Sequence, residues 1–201
     1  GQAGAGAAAD ILTGKLCPCG KLSQTWAQAH DDTPAKANFG GEGRNVEYRE
    51  GLYVGYRYYQ TAGVPVAFPF GYGLSYTTFT QKMSDITSDG SSLKFSVTVT
   101  NTGSAAGKDV VEIYNDPPYT NGGIEKASAN LLDFAKTSEL APGESETIDF
   151  TIPVEDLASY DYKNNGCYVL EAGDYIISTN SDSHNVLDSK TYTCLLYTSP
   201  S

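Results

Sequence analysis

The chain has 201 residues, a formal net charge of −11 and a pI near 4.5, and 40% of its residues are hydrophobic. This length and apolar content suffice for one medium-sized domain, or for a domain together with part of another. The acidic balance argues against nucleic acid as a partner, because phosphate binding needs clustered Lys and Arg, and no apolar run approaches the roughly 20 residues that span a bilayer. A neutral sugar ligand is compatible with such a surface.

The first 47 residues change from helix-compatible sequence to loop sequence. Residues 2–13 are predicted to form a helix that ends at Gly14, and Lys21–Trp26 is predicted to form a short strand after the turn at 17–20. One helix and one strand cannot make a domain, and alone they would expose a sheet edge and an apolar helix face. Residues 28–47 are polar, Gly-rich and non-periodic, which is typical of an exposed loop.

Residues 48–79 are unusually rich in Tyr and Gly. Leu52–Tyr59 is β-prone with aromatic residues on both faces, and prolines and glycines then interrupt any regular element. Gly71 and Gly73 are expected where the backbone needs positive φ or a close approach of another segment, with aromatic rings beside them to fill space. The stretch therefore predicts a structured crossing between two domains.

From about Thr80 the sequence predicts short strands of period two, separated by turns. The strands are expected within 93–100, 109–114, 131–135, 147–152 and 175–179, with turns at 101–103, 121–123, 142–143 and 172–174. Their spacing favours an immunoglobulin-like or fibronectin-type-III-like β-sandwich, so the expected fold class is mainly β. The residues expected to point inward are Leu93, Phe95, Val97, Val99, Val111, Ile113, Leu132, Phe134, Ile148, Phe150, Ile152, Tyr175 and Ile177.

Three sequence blocks resemble one enzyme family. The long stretch from Tyr48 to Phe79 contains YREG, VGYRYY and FPFGYGLSYTTF; the first 22 residues contain GQAG, ADILTG and CPCGKL; and residues 140–145 read LAPGES. These motifs are similar to the signature of glycoside hydrolase family three, the β-glucosidase and β-xylosidase family. The Ala/Gly-rich run at 3–9 and the Cys residues around Pro18 depart from the family pattern.

The resemblance implies a domain organisation. Residues 1–27 are expected to be the last helix and strand of an incomplete α/β sandwich domain, 28–79 an interdomain linker, and 80–193 a fibronectin-type-III-like sandwich. The chain opens inside a family motif without Met, so we expect the true amino terminus to lie upstream, and the sequence leaves localisation open. Residues 194–201 resemble the translated end of a sequencing-library adapter, which would make this tail artefactual.

The chain is expected to lack the catalytic pair of the family. A retaining glycosidase needs two carboxyl groups roughly 5 to 5.5 Å apart. The resemblance places the nucleophilic Asp in an S-D-W-like motif of an upstream barrel and the acid/base Glu ahead of the first block, and neither motif is found here: the single Trp, Trp26, follows Thr25. The predicted set of catalytic residues is therefore empty, and the chain alone is predicted to be inactive.

The substrate-binding candidates are Glu50 and Tyr53. Glu50 is the one carboxylate inside a specific motif, and it could line a sugar site or hold a nearby Arg or loop in place. Tyr53 and the other tyrosines of 48–79 could stack on sugar rings, but packing between domains requires the same residues. The sequence favours structural roles for this set, which also includes Tyr56, Tyr58, Tyr59, Phe70, Tyr72 and Tyr76.

No cofactor or metal is predicted. His30 and His184 lack any ligand spacing and are read as surface residues, and Cys17 and Cys19 are too close for a usual zinc motif. The glycines at 40–43 lack the Lys-Ser/Thr of a phosphate loop. The acidic pairs at 31–32 and around 182 are typical of solvated turns. Cys167 and Cys194 could form a disulfide or remain reduced.

Three functions compete at this point. The first is the carboxy-terminal part of a glycosidase that acts on terminal β-linked sugars, supplying structural support and packing on upstream domains. The second is a stand-alone carbohydrate-binding β-sandwich without hydrolytic activity. The third is an interaction module that does not contact sugar.

Overall fold

The computed structural model describes residues 2–40 and 44–195, and their architecture is mainly β. Helix α1 (Gln2–Leu12) ends at Gly14, whose φ of +75° lies in the left-handed region that favours glycine. The backbone N–H of Lys15 donates to the Asp10 carbonyl at 2.8 Å and closes the helix end. The predicted helix and its glycine cap are confirmed. The side chains of residues 3–9 and of Leu12 are exposed, as expected for a helix whose apolar face is uncovered.

The strand predicted at Lys21–Trp26 is wrong in extent. Regular pairing is confined to β1 (Trp26–Ala27), which is antiparallel to β2 (Val66–Phe68). Further back, the N–H of Leu22 donates to the Tyr72 carbonyl at 2.9 Å, and the N–H of Gly71 donates to the Leu22 carbonyl at 2.8 Å. Leu22 therefore pairs with an irregular segment, which gives no continuous ladder.

Residues 28–40 and 44–47 contain one turn of 3-10 helix, His30–Asp32, and otherwise neither α-helix nor strand, in agreement with the predicted loop. Residues 41–43 lie outside the described part of the chain.

The β-prone interpretation of Leu52–Tyr59 is wrong, because helix α2 (Tyr56–Ala62) forms there. The helical turn places Tyr56 and Tyr59 on one side, three residues apart, where both pack inward. Tertiary contacts of these rings outweigh the β-preference of aromatic residues.

Two antiparallel sheets form the sandwich. In the first, the central strand β5 (Ser92–Asn101) pairs with β3 (Phe79–Met83) and β4 (Thr87–Ser88) on one side and with β8 (Ser145–Pro153) on the other. The second has the order β12–β11–β6–β7, with β6 at Val110–Asp116, β7 at Asn130–Lys136, β11 at Gly173–Asp182 and β12 at Asn185–Cys194. Between β8 and β11 lie a 3-10 turn (Val154–Leu157) and a small hairpin of β9 (Ser159–Asp161) and β10 (Cys167–Val169).

The core confirms most of the predicted inward residues. Leu132 and Ile148 are partly buried against it, and the following are buried: Leu93, Phe95, Val97, Val99, Val111, Ile113, Phe150, Ile152, Tyr175 and Ile177. Phe134 was predicted wrongly, because 66% of it is exposed. The register between β6 and β7 shifts after Ile113, so Val111 faces Ala135 and Phe134 pairs with Glu112 on the outer face of the second sheet.

The sandwich, predicted to end at residue 193, extends one residue further into the predicted tail. Cys194 is the last residue of β12, pairs in register with Gly173 and is buried in the core. Cys167 begins β10, in the small hairpin. The remainder of the predicted tail, residues 196–201, lies outside the described residues.

Candidate functional site

The stretch from residue 48 to residue 79, here called the crossing segment, packs on the outer face of the second sheet. The N–H of Ser183 donates to the Phe70 carbonyl at 2.9 Å. The side chain of Lys21, from the preceding block, donates to the Ser181 carbonyl at 2.6 Å. Residues before and within the crossing segment are thus held to the end of strand β11.

Both predicted close approaches at glycine are present. Gly71 has φ +82°, and a Cβ built there would lie 2.3 Å from Oε2 of Glu112. Gly73 does not have positive φ, but its Cβ would lie 2.7 Å from the Gly20 carbonyl oxygen and 2.8 Å from Cδ of Lys21. The sequence motif around Gly71 and Gly73 therefore corresponds to a backbone in direct contact with neighbouring segments.

Glu112 is a buried carboxyl group that the sequence analysis missed. It lies on β6 at a position facing outward from the sandwich core, where a charged residue is ordinary, but the crossing segment covers it. Burial raises the pKa of Glu112 to about 7, against smaller opposing effects of the Tyr114 hydroxyl and Lys21. Tyr114 donates to Oε2 at 2.8 Å, and burial raises the pKa of this tyrosine strongly.

Aromatic stacking joins the crossing segment to the sandwich. The Tyr56 ring stacks on Phe70 with centroids 4.8 Å apart and meets Tyr114 edge-on at 6.0 Å. The Tyr56 hydroxyl accepts a hydrogen bond from the Leu131 N–H at 2.9 Å. The predicted packing role of Tyr56 and Phe70 agrees with this arrangement.

Tyr53 is held by the loop between β6 and β7. Its hydroxyl donates to Oε2 of Glu125 at 2.9 Å and contacts the Lys126 carbonyl oxygen at 3.3 Å. Burial, followed by the hydrogen bond to Glu125, raises the pKa of Tyr53 to about 12. The backbone N–H of Tyr53 donates to the Glu50 carbonyl at 3.0 Å, so the two sequence candidates occupy one turn.

Glu50 and Tyr53 line a cavity of about 600 Å³. The crossing segment forms one wall, the β6–β7 loop a second, and the β9–β10 hairpin with the 3-10 turn before it a third. The structure thus brings the two predicted candidates together and adds residues that the sequence did not single out: Arg57, Asn115, Glu125, Lys126, Asp156, Tyr160, Tyr162 and Tyr168.

A charge network fixes the wall formed by the β6–β7 loop. Lys163 donates to Oε1 of Glu125 at 3.1 Å, and this bond, with that from Tyr53, holds the pKa of Glu125 below its usual range. The buried Lys126 forms an ion pair with Glu171 at 2.5 Å and donates to the Pro118 carbonyl at 2.6 Å. Glu125 and Lys126 are therefore both held in place by partners within the chain.

The remaining sequence candidates do not converge on a site. His30 is exposed, as predicted. His184 was also expected at the surface, but its Nε2 atom is buried and has no hydrogen bond among the described residues. Burial lowers the pKa of His184. Asp32 accepts from the Ala29 N–H at 3.0 Å, and Asp182 accepts from the His184 N–H at 2.9 Å, so both stabilise local turns.

The two cysteines of the CPC turn lie against the neighbouring chain. Cys17 Sγ accepts from the Tyr76 N–H at 3.4 Å, and Lys136 Nζ lies 3.6 Å from Cys19 Sγ. Within residues 2–40 and 44–195, no group of three or more His, Cys, Asp or Glu side chains is placed to hold a metal ion. Over the same residues, no helix has the length and apolar character to cross a membrane.

Comparison with known families agrees with this architecture. The glycosyl hydrolase family 3 C-terminal domain matches residues 1–76, and the fibronectin type III-like domain matches residues 109–183. The chain belongs to glycoside hydrolase family three and corresponds to the carboxy-terminal part of its members.

Several similar relatives are β-glucosidases. The chain is 40% identical over 187 residues to a β-glucosidase of Kluyveromyces marxianus and 39% identical over 193 residues to thermostable β-glucosidase B of Acetivibrio thermocellus. It also superposes on β-glucosidase 3B of Thermotoga neapolitana, solved in complex with α-D-glucose, with a TM-score of 0.87 and 41% identity. These matches cover 92%, 93% and 96% of this chain, but only 22%, 25% and 27% of the respective relatives.

Proposed function

We propose that the chain is the carboxy-terminal part of a glycoside hydrolase that removes terminal β-linked sugars, and that its residues support the enzyme without supplying the catalytic pair. The observation that carries this proposal is the match of over nine-tenths of the chain, at about 40% identity, to the β-glucosidases of Kluyveromyces marxianus and Acetivibrio thermocellus. Its sequence contains no Ser-Asp-Trp motif.

The exposed apolar side chains support a packing role within a larger enzyme. Leu12 on α1, Leu74 on the crossing segment and Phe134 on β7 are each more than 60% exposed. Exposed apolar groups of this kind mark surfaces that another body covers. We propose that upstream domains of the same enzyme cover α1 and the neighbouring face of the second sheet, so that 1–27 completes an α/β domain and 28–79 links it to the sandwich.

A chimera tests the proposed function. The carboxy-terminal quarter of Thermotoga neapolitana β-glucosidase 3B would be replaced by residues 1–195 of this chain, and hydrolysis of p-nitrophenyl β-D-glucoside would be measured. The chimera should hydrolyse the substrate. The Thermotoga neapolitana enzyme without that quarter should not, and neither should the 201-residue chain alone. A chimera that folds, judged by its melting transition, but stays inactive would contradict the assignment. Activity of the chain alone would contradict the absence of the catalytic pair.

The sugar specificity of the parent enzyme is a separate part of the proposal. One relative, 35% identical over 189 residues, is an exo-α-(1→6)-L-arabinopyranosidase of Bifidobacterium longum, so family relatives differ in the sugar they release. We propose a β-glucoside as the substrate because the relatives from Kluyveromyces marxianus, Acetivibrio thermocellus and Ruminococcus albus, each about 40% identical to this chain, are β-glucosidases. The parent enzyme, with its own catalytic domain, should therefore hydrolyse the β-D-glucoside faster than the corresponding α-L-arabinopyranoside.

A further inference from the structure

We propose that the cavity lined by Glu50, Asn115 and Tyr168 binds a neutral, β-linked oligosaccharide. Its volume of about 600 Å³ lies within the range of about 300–1,000 Å³ typical of small-molecule sites. The inference goes beyond the proposed function, because a chain that supports an upstream catalytic domain has no need of a sugar site of its own. Sugar binding by this chain and hydrolysis by the chimera are measured in separate experiments, so either proposal can fail without the other.

The aromatic wall of the cavity is exposed and preorganised. Tyr160, Tyr162 and Tyr168 are 49%, 62% and 59% exposed, respectively. The Tyr160 and Tyr168 rings meet edge-on with centroids 5.3 Å apart, the Tyr160 hydroxyl donates to the Gly166 carbonyl at 3.0 Å, and Lys163 lies over the Tyr162 ring at 5.6 Å. Rings fixed in this way offer apolar faces to a ligand at little cost in conformational entropy.

Other residues that line the cavity supply polar groups with unused hydrogen-bonding capacity. Asn115 is only 3% exposed, and its Oδ1 atom has no hydrogen-bond partner among the described residues. A buried amide oxygen left unpaired is costly, and because this oxygen belongs to a residue of the cavity wall, a rotation of the Asn115 side chain would offer it to a ligand hydroxyl. Glu50, Arg57 and Asp156 also line the cavity, and none of the ion pairs found among the described residues involves them. By contrast, Glu125 and Lys126 are held by their own partners and serve as a fixed frame.

These groups favour a neutral sugar over other ligands. The chain carries a net charge of −11, and carboxylates outnumber cationic groups at the cavity, which disfavours phosphorylated, sulfated or uronic-acid ligands. Pyranoses joined by equatorial β-linkages present flat C–H faces to aromatic rings and hydroxyls at their edges to carboxylate, guanidinium and amide groups. The lining residues of the cavity provide both kinds of surface.

Saturation-transfer difference NMR on the 201-residue chain tests the proposal, with cellotetraose as the ligand and maltotetraose as the α-linked comparison. Cellotetraose should show saturation transfer and bind at least fivefold more tightly than maltotetraose. Tyr168→Ala should weaken cellotetraose binding at least tenfold, while Tyr168→Phe, which keeps the ring, should bind as the unmodified chain does. Tyr48→Ala is the matched control, because Tyr48 is 93% exposed and does not line the cavity.

A second variant guards against a folding defect in the hairpin. If Tyr168→Ala lowers the melting temperature, Asp156→Asn, a change at an exposed side chain, should still weaken cellotetraose binding at least threefold with unchanged melting. Absence of saturation transfer to cellotetraose at millimolar concentration would overturn the proposal. Equal binding by the unmodified chain, Tyr168→Ala and Asp156→Asn would do so as well, and equal binding of maltotetraose would overturn the preference for β-linkages. None of these outcomes bears on the hydrolysis measured with the chimera.

Discussion

At the scale of single residues, the Glu112 carboxyl makes the stability of the fold depend on pH. Its pKa of about 7 in the folded chain exceeds the ordinary value of 4.5, because the group is buried beside Gly71 and Tyr114. The folded state therefore binds more protons than the unfolded state between these two values. Stability from this group is fully present below about pH 4.5 and is lost as the pH rises towards 7.

Substituting Glu112 by Gln should remove this dependence. As the pH rises from about 4.5 to 7, Glu112→Gln should gain about 3 kcal/mol of unfolding free energy relative to the unmodified chain. Urea unfolding at half-unit pH intervals measures it. Carboxylates shared by both proteins, including the nearby Asp109 and Asp182, contribute to both stability curves and therefore cancel in the difference between them. Parallel stability curves for the two proteins would show that Glu112 is not the titrating group.

A methyl group at Gly71 should destabilise the contact between the crossing segment and the second sheet. Gly71→Ala combines positive φ with a Cβ 2.3 Å from the buried Glu112 carboxylate, so we expect a loss of about 2–4 kcal/mol in unfolding free energy. Gly143→Ala is the matched control: its φ is also +82°, but nothing lies within 4 Å of the added methyl, and we expect a loss of about 1 kcal/mol. Equal losses would show that backbone conformation alone explains both.

At the scale of elements, Asn101 joins the end of β5 to three other segments. Its Oδ1 accepts from the Thr77 hydroxyl at 2.7 Å and from the Gly103 N–H at 3.1 Å. Its Nδ2 donates to the carbonyls of Ala105 and Leu140, both at 2.8 Å. The side chain is fully buried. One amide group therefore provides hydrogen-bond partners for the crossing segment, the loop after β5 and the segment before β8.

Removing the Asn101 amide should cost far more than removing an exposed one. Asn101→Ala leaves buried carbonyl and hydroxyl groups without partners, and we expect the unfolding free energy to fall by about 2–4 kcal/mol. Asn121→Ala, in the exposed turn between β6 and β7, should change it by less than about 0.5 kcal/mol. Thermal denaturation followed by circular dichroism compares the two, and similar melting temperatures would contradict the role of Asn101.

Strand β5 could be predicted because its burial alternates. Ser92–Asn101 alternates apolar and polar residues along its length, and the prediction of an inward face there is confirmed. Strand β12 escaped prediction because its mostly exposed, polar side chains give no apolar period; backbone pairing with β11 forms it. Helix α2 and the register shift opposite Ile113 depend on contacts between distant segments, which a local pattern does not contain.

The candidate site was predictable only in part, for the same physical reason. Glu50 and Tyr53 stand inside a recognisable motif, and both line the cavity. The hairpin tyrosines lie more than 100 residues later, in a stretch without alternation, and Asn115 lies at the end of a buried strand. Only the folded chain brings these walls together.

At the scale of the whole molecule, residues 2–27 are held to the rest by contacts spread along their length. Besides the pairing of β1 with β2, Tyr76 donates to the Ile11 carbonyl at 2.7 Å, and Lys21 reaches Ser181. The loop that follows is exposed at Lys36. Limited trypsin cleavage at Lys36 should therefore leave the two pieces associated on native gel filtration, while 6 M urea separates them. Separation without denaturant would show that the covalent link is what holds them.

The position of Trp26 has a spectroscopic consequence. It is the single Trp of the chain, it is 53% exposed, and it pairs with Phe68 where β1 meets β2, away from the sandwich core. Its fluorescence therefore reports on the junction, whereas far-ultraviolet circular dichroism reports on the strands. One chromophore supplied by the natural sequence can thus distinguish detachment of the first 27 residues from melting of the sandwich, without any introduced label.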